Sequence, residues 1–152
     1  MAKAQLSNSP FQNKDDGLHA LLQVLVVEDN PSDVYLIRSA IEASGLKASI
    51  TVQQDGAAAT NFFDEVDRNA ALAAPDLIIL DLNLPKLSGI EVLEYMRQSL
   101  RSQKAVVIVV STSALEAERK RVSNLGAHAY FRKPSEFDEF LKLGDVIRTL
   151  FP

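Results

Sequence analysis

The sequence predicts an α/β fold in which helices cover both faces of a doubly wound, five-stranded parallel sheet. Two observations lead to this fold class. Short runs rich in Val and Ile alternate along the chain with amphipathic stretches, which is the pattern of successive βα units. Four of the five runs are short and rich in Val or Ile, as expected for strands that are buried on both faces.

One folded domain is expected to follow an N-terminal tail. Residues 1–20 carry Ser, Asn, Gln, Lys, Asp and Gly and show little apolar periodicity, so we expect them to form a mobile tail. The remaining chain, residues 21–152, has about the length of a single domain. Its five strands are predicted at residues 24–27, 50–52, 77–80, 106–110 and 129–131.

Helical patterns fill the segments between these strands. The first helix is predicted to begin at Asn30 and Pro31, because Asn caps helix N-termini and Pro is favoured at the first helical position. Gly45 ends this helix. Further helices are predicted over residues 56–68, from residue 89, over residues 115–124 and, as one continuous helix, after residue 134. These elements use up the chain, so no second domain is expected.

Composition and charge exclude several classes of function. The chain has no Cys and two His, which excludes disulfides, thiol nucleophiles and metal sites rich in Cys or His. Its 16 basic and 20 acidic residues give a net charge of −4, which disfavours nucleic acid and anionic membranes as partners. No apolar run approaches the roughly 20 residues that span a bilayer, and no secretory signal is recognised. We therefore expect a cytoplasmic protein.

Charged and hydroxyl side chains stand where the predicted strands end, which is the edge at which doubly wound sheets bind ligands. They are Glu28, Asp29, Asp81, Ser111, Thr112 and Lys133. If the first and third strands are neighbours, Asp29 and Asp81 face each other, and their repulsion favours a bound cation. Mg²⁺ prefers oxygen ligands of this kind together with phosphate oxygens. Carboxylates, a metal ion and a lysine around one point suit phosphoryl transfer.

With these residues the chain resembles the response regulator receiver domains of two-component signalling. The resemblance rests on the order and spacing of separated features over about residues 22–152. The matching residues are Glu28-Asp29-Asn30, Asp81-Leu82-Asn83-Leu84-Pro85, Gly89, Ser111, Tyr130 and Lys133-Pro134. The resemblance implies the flavodoxin-like (βα)5 fold with strand order 2-1-3-4-5.

The resemblance also implies roles for the acidic residues and a cofactor, Mg²⁺. Asp81 would accept the phosphoryl group from a phosphohistidine of a sensor histidine kinase. Asp29, Asp81 and the backbone carbonyl of Asn83 would bind Mg²⁺ directly, and Glu28 would act through a metal-bound water. Glu28 stands where Asp is common in the family, which lengthens the reach of this carboxylate.

The remaining site residues would bind the phosphoryl group or respond to it. By the same resemblance, Lys133 would pair with the phosphoryl oxygens, and the Ser111 hydroxyl would hydrogen-bond one of them. Tyr130 would be the switch aromatic, turning inward when Ser111 is drawn toward the phosphate. Ser111 stands where Thr is common, so the hydroxyl is kept and a methyl group is lost. The implied protein is a stand-alone response regulator, a switch that loses its phosphoryl group by hydrolysis and not a turnover enzyme.

Two other functions stay open at this point. One is an adaptor that binds its partners without being phosphorylated. The other is a phosphohydrolase that works through an aspartyl phosphate. It is less favoured, because such enzymes carry Asp-x-Asp-x-Thr where this chain has Asp-Leu-Asn-Leu-Pro at residues 81–85.

The last predicted helix indicates an output surface. Taken as one continuous helix, its apolar residues cover an arc of roughly 220°, which is wider than packing against a sheet requires. Leu143, Val146 and Leu150 are then left over, and we expect them to form a homodimer interface. The long approach to the third strand and residues 81–85 also resemble single-domain receivers that partner phytochrome-type histidine kinases, which are often dimers.

Overall fold

The computed structural model describes residues 21–152, so the predicted tail at residues 1–20 lies outside the described residues. Within the described part of the chain, five strands and six helices follow one another. The strands are β1 (Leu22–Val27), β2 (Ala48–Gln53), β3 (Leu77–Asp81), β4 (Val106–Ser111) and β5 (Ala129–Arg132). The helices are α1 (Pro31–Ala43), α2 (Gly56–Arg68), α3 (Gly89–Met96), α4 (Glu116–Asn124), α5 (Phe137–Phe140) and α6 (Leu143–Leu150). None of these helices combines the length and the apolar character needed to cross a membrane.

The five strands form one parallel sheet in the order β2-β1-β3-β4-β5. This confirms the predicted fold class and strand order. In the register of β1 with β3, Val27 lies opposite Leu80. The next residues along the chain, Glu28 just after β1 and Asp81 at the end of β3, therefore lie side by side at this edge.

The register of β4 with β5 brings a second pair of residues to the same edge. Ser111, the last residue of β4, lies opposite Arg132. The backbone N–H of Lys133 then donates to the Ser111 carbonyl oxygen at 2.8 Å. Because parallel strands all end on one side of a sheet, this edge collects the polar residues that follow each strand.

The sheet separates two hydrophobic cores, one on each face. Along β1, Val24 and Val26 point to one face, whereas Leu25 and Val27 point to the other, as the two-residue period of a strand requires. One core packs against α2, α3 and α4, and the other packs against α1, α5 and α6. Burial on both faces explains the continuous apolar runs of the three central strands, at residues 24–27, 77–80 and 106–110. The edge strand β2 is only partly buried and contains polar residues.

The first helix begins and ends as the sequence predicts. The Asn30 side chain accepts hydrogen bonds from the backbone N–H groups of Ser32 and Asp33, and Pro31 occupies the first turn. Gly45, just beyond the helix, adopts a φ of 81°, a left-handed conformation that favours glycine. The cap fixes where α1 starts relative to the end of β1, and this places the first turn of α1 beside the site.

The prediction of one continuous last helix is wrong, because α5 and α6 are separate helices. Between them, the Lys142 N–H donates to the Glu139 carbonyl at 3.2 Å and the Gly144 N–H donates to the Leu141 carbonyl at 2.9 Å. Such three-residue steps turn the chain by about 120° per residue instead of about 100°. Because of the tighter turn, the apolar residues of α6 face the same hydrophobic core as those of α5.

The prediction that Leu143 is left over for an interface is therefore also wrong. Leu143 is fully buried in the core beneath α1 and α6. Gly144 lies so close to α1 that a Cβ there would come within 2.6 Å of the Ala40 carbonyl oxygen. Val146 and Leu150 pack against the same core but keep part of their surface in solvent. A homodimer through this helix stays a prediction, now resting on Val146 and Leu150.

Candidate functional site

Three carboxylates meet at the carboxyl edge of the sheet. Glu28 and Asp29 directly follow β1, and Asp81 is the last residue of β3. One oxygen of each carboxylate lies within 4.8 Å of the other two. Glu28 and Asp81 are buried, whereas Asp29 is exposed. These three residues, here called the acidic cluster, form the all-oxygen donor set that hard divalent cations prefer.

The loop that follows Asp81 bends back over this residue. The Asn83 N–H donates to Asp81 Oδ1 at 3.3 Å, and the Gly89 N–H donates to the Leu82 carbonyl at 3.0 Å. A Cβ at Gly89 would overlap the Asp81 carbonyl oxygen, so a side chain here would push the loop away. The loop thus keeps the backbone of Asn83, which the resemblance implies as a metal ligand, next to the acidic cluster.

Lys133 is surrounded by carboxylates. Its Nζ lies 2.9 Å from Glu28 Oε1, 2.8 Å from Asp33 Oδ2 and 3.6 Å from Asp81 Oδ1. Its side chain is only 9% exposed, so little solvent screens these contacts. The ammonium group therefore lies beside the side chain that the resemblance implies as phospho-acceptor.

Burial and charge shift the pKa values of this group. Burial raises the pKa of Glu28 to about 7. The hydrogen bond from Lys133 lowers this pKa, whereas the negative charge of Asp81 raises it. Burial opposes the charged form of Lys133, but hydrogen bonds to Asp33 and Glu28 outweigh it and raise the pKa of Lys133 above its usual range. Lys133 thus stays an ammonium at neutral pH. Glu28 exchanges its proton near neutrality, where a bound cation would favour the carboxylate.

Ser111, Tyr130 and Glu118 form a second group on the side of the sheet that α4 covers. The Tyr130 hydroxyl donates to Glu118 Oε1 at 2.7 Å and also lies 3.0 Å from the Ser113 carbonyl oxygen. The Ser111 hydroxyl donates to the same Glu118 oxygen at 3.5 Å. Burial, together with the Glu118 carboxylate, raises the pKa of Tyr130. We call these three residues the hydroxyl cluster.

A surface cavity of about 400 Å³ lies beside the hydroxyl cluster, between α4 and β5. Its lining includes Tyr130, Arg119, Lys120 and His128. The Arg119 guanidinium lies 4.5 Å from the centre of the Tyr130 ring, a cation–π contact. The position of Tyr130 therefore helps to set the shape of this cavity.

The structure brings most of the residues singled out in the sequence into two groups. Glu28, Asp29, Asp81 and Lys133 meet on one side of the sheet edge, with the Asn83 backbone beside them. Ser111 and Tyr130 meet on the α4 side, joined through Glu118.

Two residues of these groups, Asp33 and Glu118, were not identified from the sequence. Asp33 carried a usable signal, because it lies in the first turn of the helix that begins where β1 ends. Glu118 carried none, because it is one of several charged residues in α4.

Comparisons with known proteins found a matching family model and similar sequences. The family model of the response regulator receiver domain matches residues 24–144. The polar-differentiation response regulator DivK of Brucella anthropi is 32% identical over 128 residues, which are 81% of this chain and 97% of DivK. The matched range 24–144 contains both the acidic and the hydroxyl cluster.

Two solved structures are also similar to this chain. The phosphorylated cyanobacterial phytochrome response regulator RcpA is 30% identical, with 86% of this chain and 94% of RcpA covered and a TM-score of 0.76. The Mn²⁺-bound response regulator Rcp1 is 29% identical, with 85% of this chain and 93% of Rcp1 covered and a TM-score of 0.74. The likeness thus extends over nearly the whole length of both structures.

Proposed function

This chain belongs to the family of response regulator receiver domains, and on that premise we propose that Asp81 accepts a phosphoryl group from a histidine kinase in a Mg²⁺-dependent reaction. The observation that carries the proposal is the meeting of the acidic cluster with Lys133. Asp81 Oδ1 lies 3.6 Å from the Lys133 ammonium. One carboxylate oxygen each of Glu28, Asp29 and Asp81 lie within 4.8 Å of one another. Phosphoryl transfer needs a nucleophile, positive charge and fixed positions, and these residues supply all three.

The donor set of the acidic cluster fits Mg²⁺. Glu28, Asp29 and Asp81 offer carboxylate oxygens. The resemblance adds the backbone carbonyl of Asn83, whose N–H donates to Asp81 Oδ1. Mg²⁺ commonly takes one or two carboxylates and completes its ligands with water and phosphate oxygens. When bound, it supplies positive charge that offsets the negative charge of both the carboxylates and the phosphoryl oxygens.

The transfer exchanges one bond for another at phosphorus. An oxygen of the Asp81 carboxylate attacks the phosphorus of the kinase phosphohistidine. A P–O bond forms while the P–N bond breaks, and the electron pair of that bond stays on the imidazole nitrogen of the kinase. Lys133 has three N–H donors, so it can exchange its contact with Glu28 or Asp33 for a phosphoryl oxygen.

The phosphorylated protein is a switch that returns to its starting state by hydrolysis. Water attacks the phosphorus of the aspartyl phosphate, which releases inorganic phosphate and restores the Asp81 carboxylate. The Ser111 hydroxyl donates to a phosphoryl oxygen while the group is present, and Tyr130 responds through its contacts on the α4 side. The expected output is a change in partner binding or in self-association and not the turnover of a separate substrate.

We infer that the partner is a sensor histidine kinase, and that a phytochrome-type kinase is the first to test. RcpA, which is similar over 94% of its own length, is a phytochrome response regulator. DivK, covered over 97% of its length, supports action as a single-domain regulator. Incubation with a phytochrome-type kinase carrying labelled phosphohistidine tests this directly, because the label should move to this chain.

The phosphorylation itself is tested by intact-mass spectrometry. The protein is incubated with acetyl phosphate in the presence of Mg²⁺ or of EDTA. The wild-type protein should gain one phosphoryl mass only with Mg²⁺, and Asp81→Asn should gain none. Asp138→Asn, which removes an exposed acid of α5, is the matched control and should label like the wild type.

Other outcomes of this experiment favour the other functions. Absence of labelling in the wild type would favour the phosphorylation-independent adaptor. In a separate assay with a phosphomonoester as substrate, repeated turnover would favour the phosphohydrolase.

A further inference from the structure

Glu118 is the one acceptor shared by the two hydroxyl groups on the α4 side. Its Oε1 accepts from the Tyr130 hydroxyl at 2.7 Å and from the Ser111 hydroxyl at 3.5 Å. Ser111 is fully buried at the end of β4, and Glu118 is half-buried in the first turn of α4. The carboxylate thus connects the strand end beside the phosphorylation site to the helix that borders the surface cavity.

The Ser111 hydroxyl has a single proton to donate. Its oxygen already accepts from the Ser113 N–H at 3.1 Å, so this contact does not use the proton. The carboxylate oxygen within its reach in the structure is Glu118 Oε1, at 3.5 Å. Donation to a phosphoryl oxygen on Asp81 and donation to Glu118 therefore exclude each other.

We propose that Glu118 is a positioning residue that stabilises the unphosphorylated arrangement by competing with the phosphoryl group for the Ser111 hydroxyl. The proposal rests on the function proposed for Asp81 and adds a means of regulating it. When Ser111 turns to the phosphoryl group, Glu118 loses one of its two donors. Among the described residues, the Tyr130 hydroxyl then remains as the hydroxyl donor to Glu118, and the link from Glu118 to β4 is lost.

We expect the loss of the Ser111–Glu118 hydrogen bond to affect the protein surface through Tyr130. Tyr130 and Arg119 line the cavity of about 400 Å³ between α4 and β5, and the Arg119 guanidinium lies over the Tyr130 ring at 4.5 Å. A change in the bond from Tyr130 to Glu118 shifts the ring and its covering guanidinium together. Glu118 thus couples the occupancy of Asp81 to the shape of this cavity.

The composition of the chain offers a direct readout of Tyr130. The chain has no Trp and three Tyr, so Tyr35→Phe with Tyr95→Phe leaves Tyr130 as the only strong fluorophore. Tyr35 is exposed, and the Tyr95 hydroxyl contacts only Asp64 at the surface. A carboxylate that accepts from a tyrosine hydroxyl quenches its emission, so Tyr130 should be dim while it is bonded to Glu118.

The experiment compares Glu118→Ala, Glu118→Gln and Glu116→Ala in this two-Phe background. Glu116 is an exposed acid of the same helix, so Glu116→Ala is the matched control. Beryllofluoride with Mg²⁺ serves as the phosphoryl mimic. Before any mimic is added, Tyr130 should be brighter in Glu118→Ala than in the control. The apparent Kd of the mimic should be about twofold lower in Glu118→Ala, because one long competing hydrogen bond of 3.5 Å is removed.

Glu118→Gln keeps the size of the side chain and an acceptor oxygen but removes the charge. A neutral acceptor bonds about half as strongly, so this variant should lie between the other two, and it decides the matter if Glu118→Ala does not fold. Emission and Kd equal to those of Glu116→Ala in both Glu118 variants would overturn the proposal. Failure of the wild type to bind beryllofluoride would instead overturn the function proposed for Asp81. If the wild type binds beryllofluoride and the Glu118 variants bind it equally well, only the role proposed for Glu118 is overturned.

Discussion

Replacing Lys133 by Met should destabilise the protein more than any change at an exposed lysine. The Lys133 ammonium lies 2.9 Å from Glu28 and 2.8 Å from Asp33. At an effective dielectric constant of about 20, one contact of this length is worth about 6 kcal/mol before desolvation is counted. Desolvation offsets much of this gain, but removing one partner of a buried ion pair still costs about 3–5 kcal/mol.

The stability lost in Lys133→Met should be larger at high pH than at low pH. The pKa of Glu28 is raised from 4.5 to about 7 in the folded chain, so its bound proton stabilises the fold below pH 4.5 and that contribution is lost as the pH rises through about 7. Removing Lys133 takes away a charge that lowers the pKa of Glu28, so the raised pKa climbs further. At pH 6 Glu28 is then protonated and repels its neighbours less than at pH 8.

Urea denaturation followed by circular dichroism in EDTA measures this effect at pH 6 and pH 8. Lys133→Met should lower the free energy of unfolding by about 3–5 kcal/mol at pH 8 and by clearly less at pH 6. The control is Lys86→Met, whose side chain is 67% exposed beside Asp55 and which should cost less than about 1 kcal/mol. Equal losses for the two variants, or a loss at Lys133 that is the same at both pH values, would refute the reasoning.

Three further predictions concern the core, the loop after Asp81 and the metal ion. In the same urea assay, Leu143→Ala should lower the free energy of unfolding by about 2–5 kcal/mol. The control Leu100→Ala, at a 76% exposed site, should leave the free energy of unfolding almost unchanged. Gly89→Ala should weaken Mg²⁺ binding measured by calorimetry, because its Cβ displaces the loop on Asp81. Mg²⁺ affinity should rise as the pH rises through about 7, because Glu28 loses its proton there, and Glu28→Gln should flatten this dependence.

The fold could be predicted from the sequence because burial on both faces leaves a strong local signal. The strand segments around Val24, Leu77 and Val106 are uninterrupted apolar runs, and the Asn30-Pro31 pair marks a helix start. The observed strands run slightly further than predicted. Asp81 and Ser111 still belong to β3 and β4, because hydrogen bonding with the neighbouring strand continues past the last apolar residue.

The errors arose where the outcome depends on tertiary contacts. The break between α5 and α6 has no proline or glycine at Leu141 and Lys142, so periodicity alone extended the helix through it. The contact of Asp33 with Lys133 joins residues 100 positions apart, and the contact of Glu118 with Tyr130 depends on side-chain direction. Local sequence places Asp33 in the first turn of α1 but does not show its partner, and it gives no signal for Glu118.

The central claim is that Asp81, and no other acid, receives the phosphoryl group. The most direct test treats the protein with acetyl phosphate and Mg²⁺, reduces the acyl phosphate with borohydride and sequences the peptides by mass spectrometry. Reduction converts a phosphorylated aspartate to homoserine. Homoserine at position 81 is the predicted result, and its appearance at another acid, such as Asp29 or Asp33, with Asp81 unmodified would contradict the account.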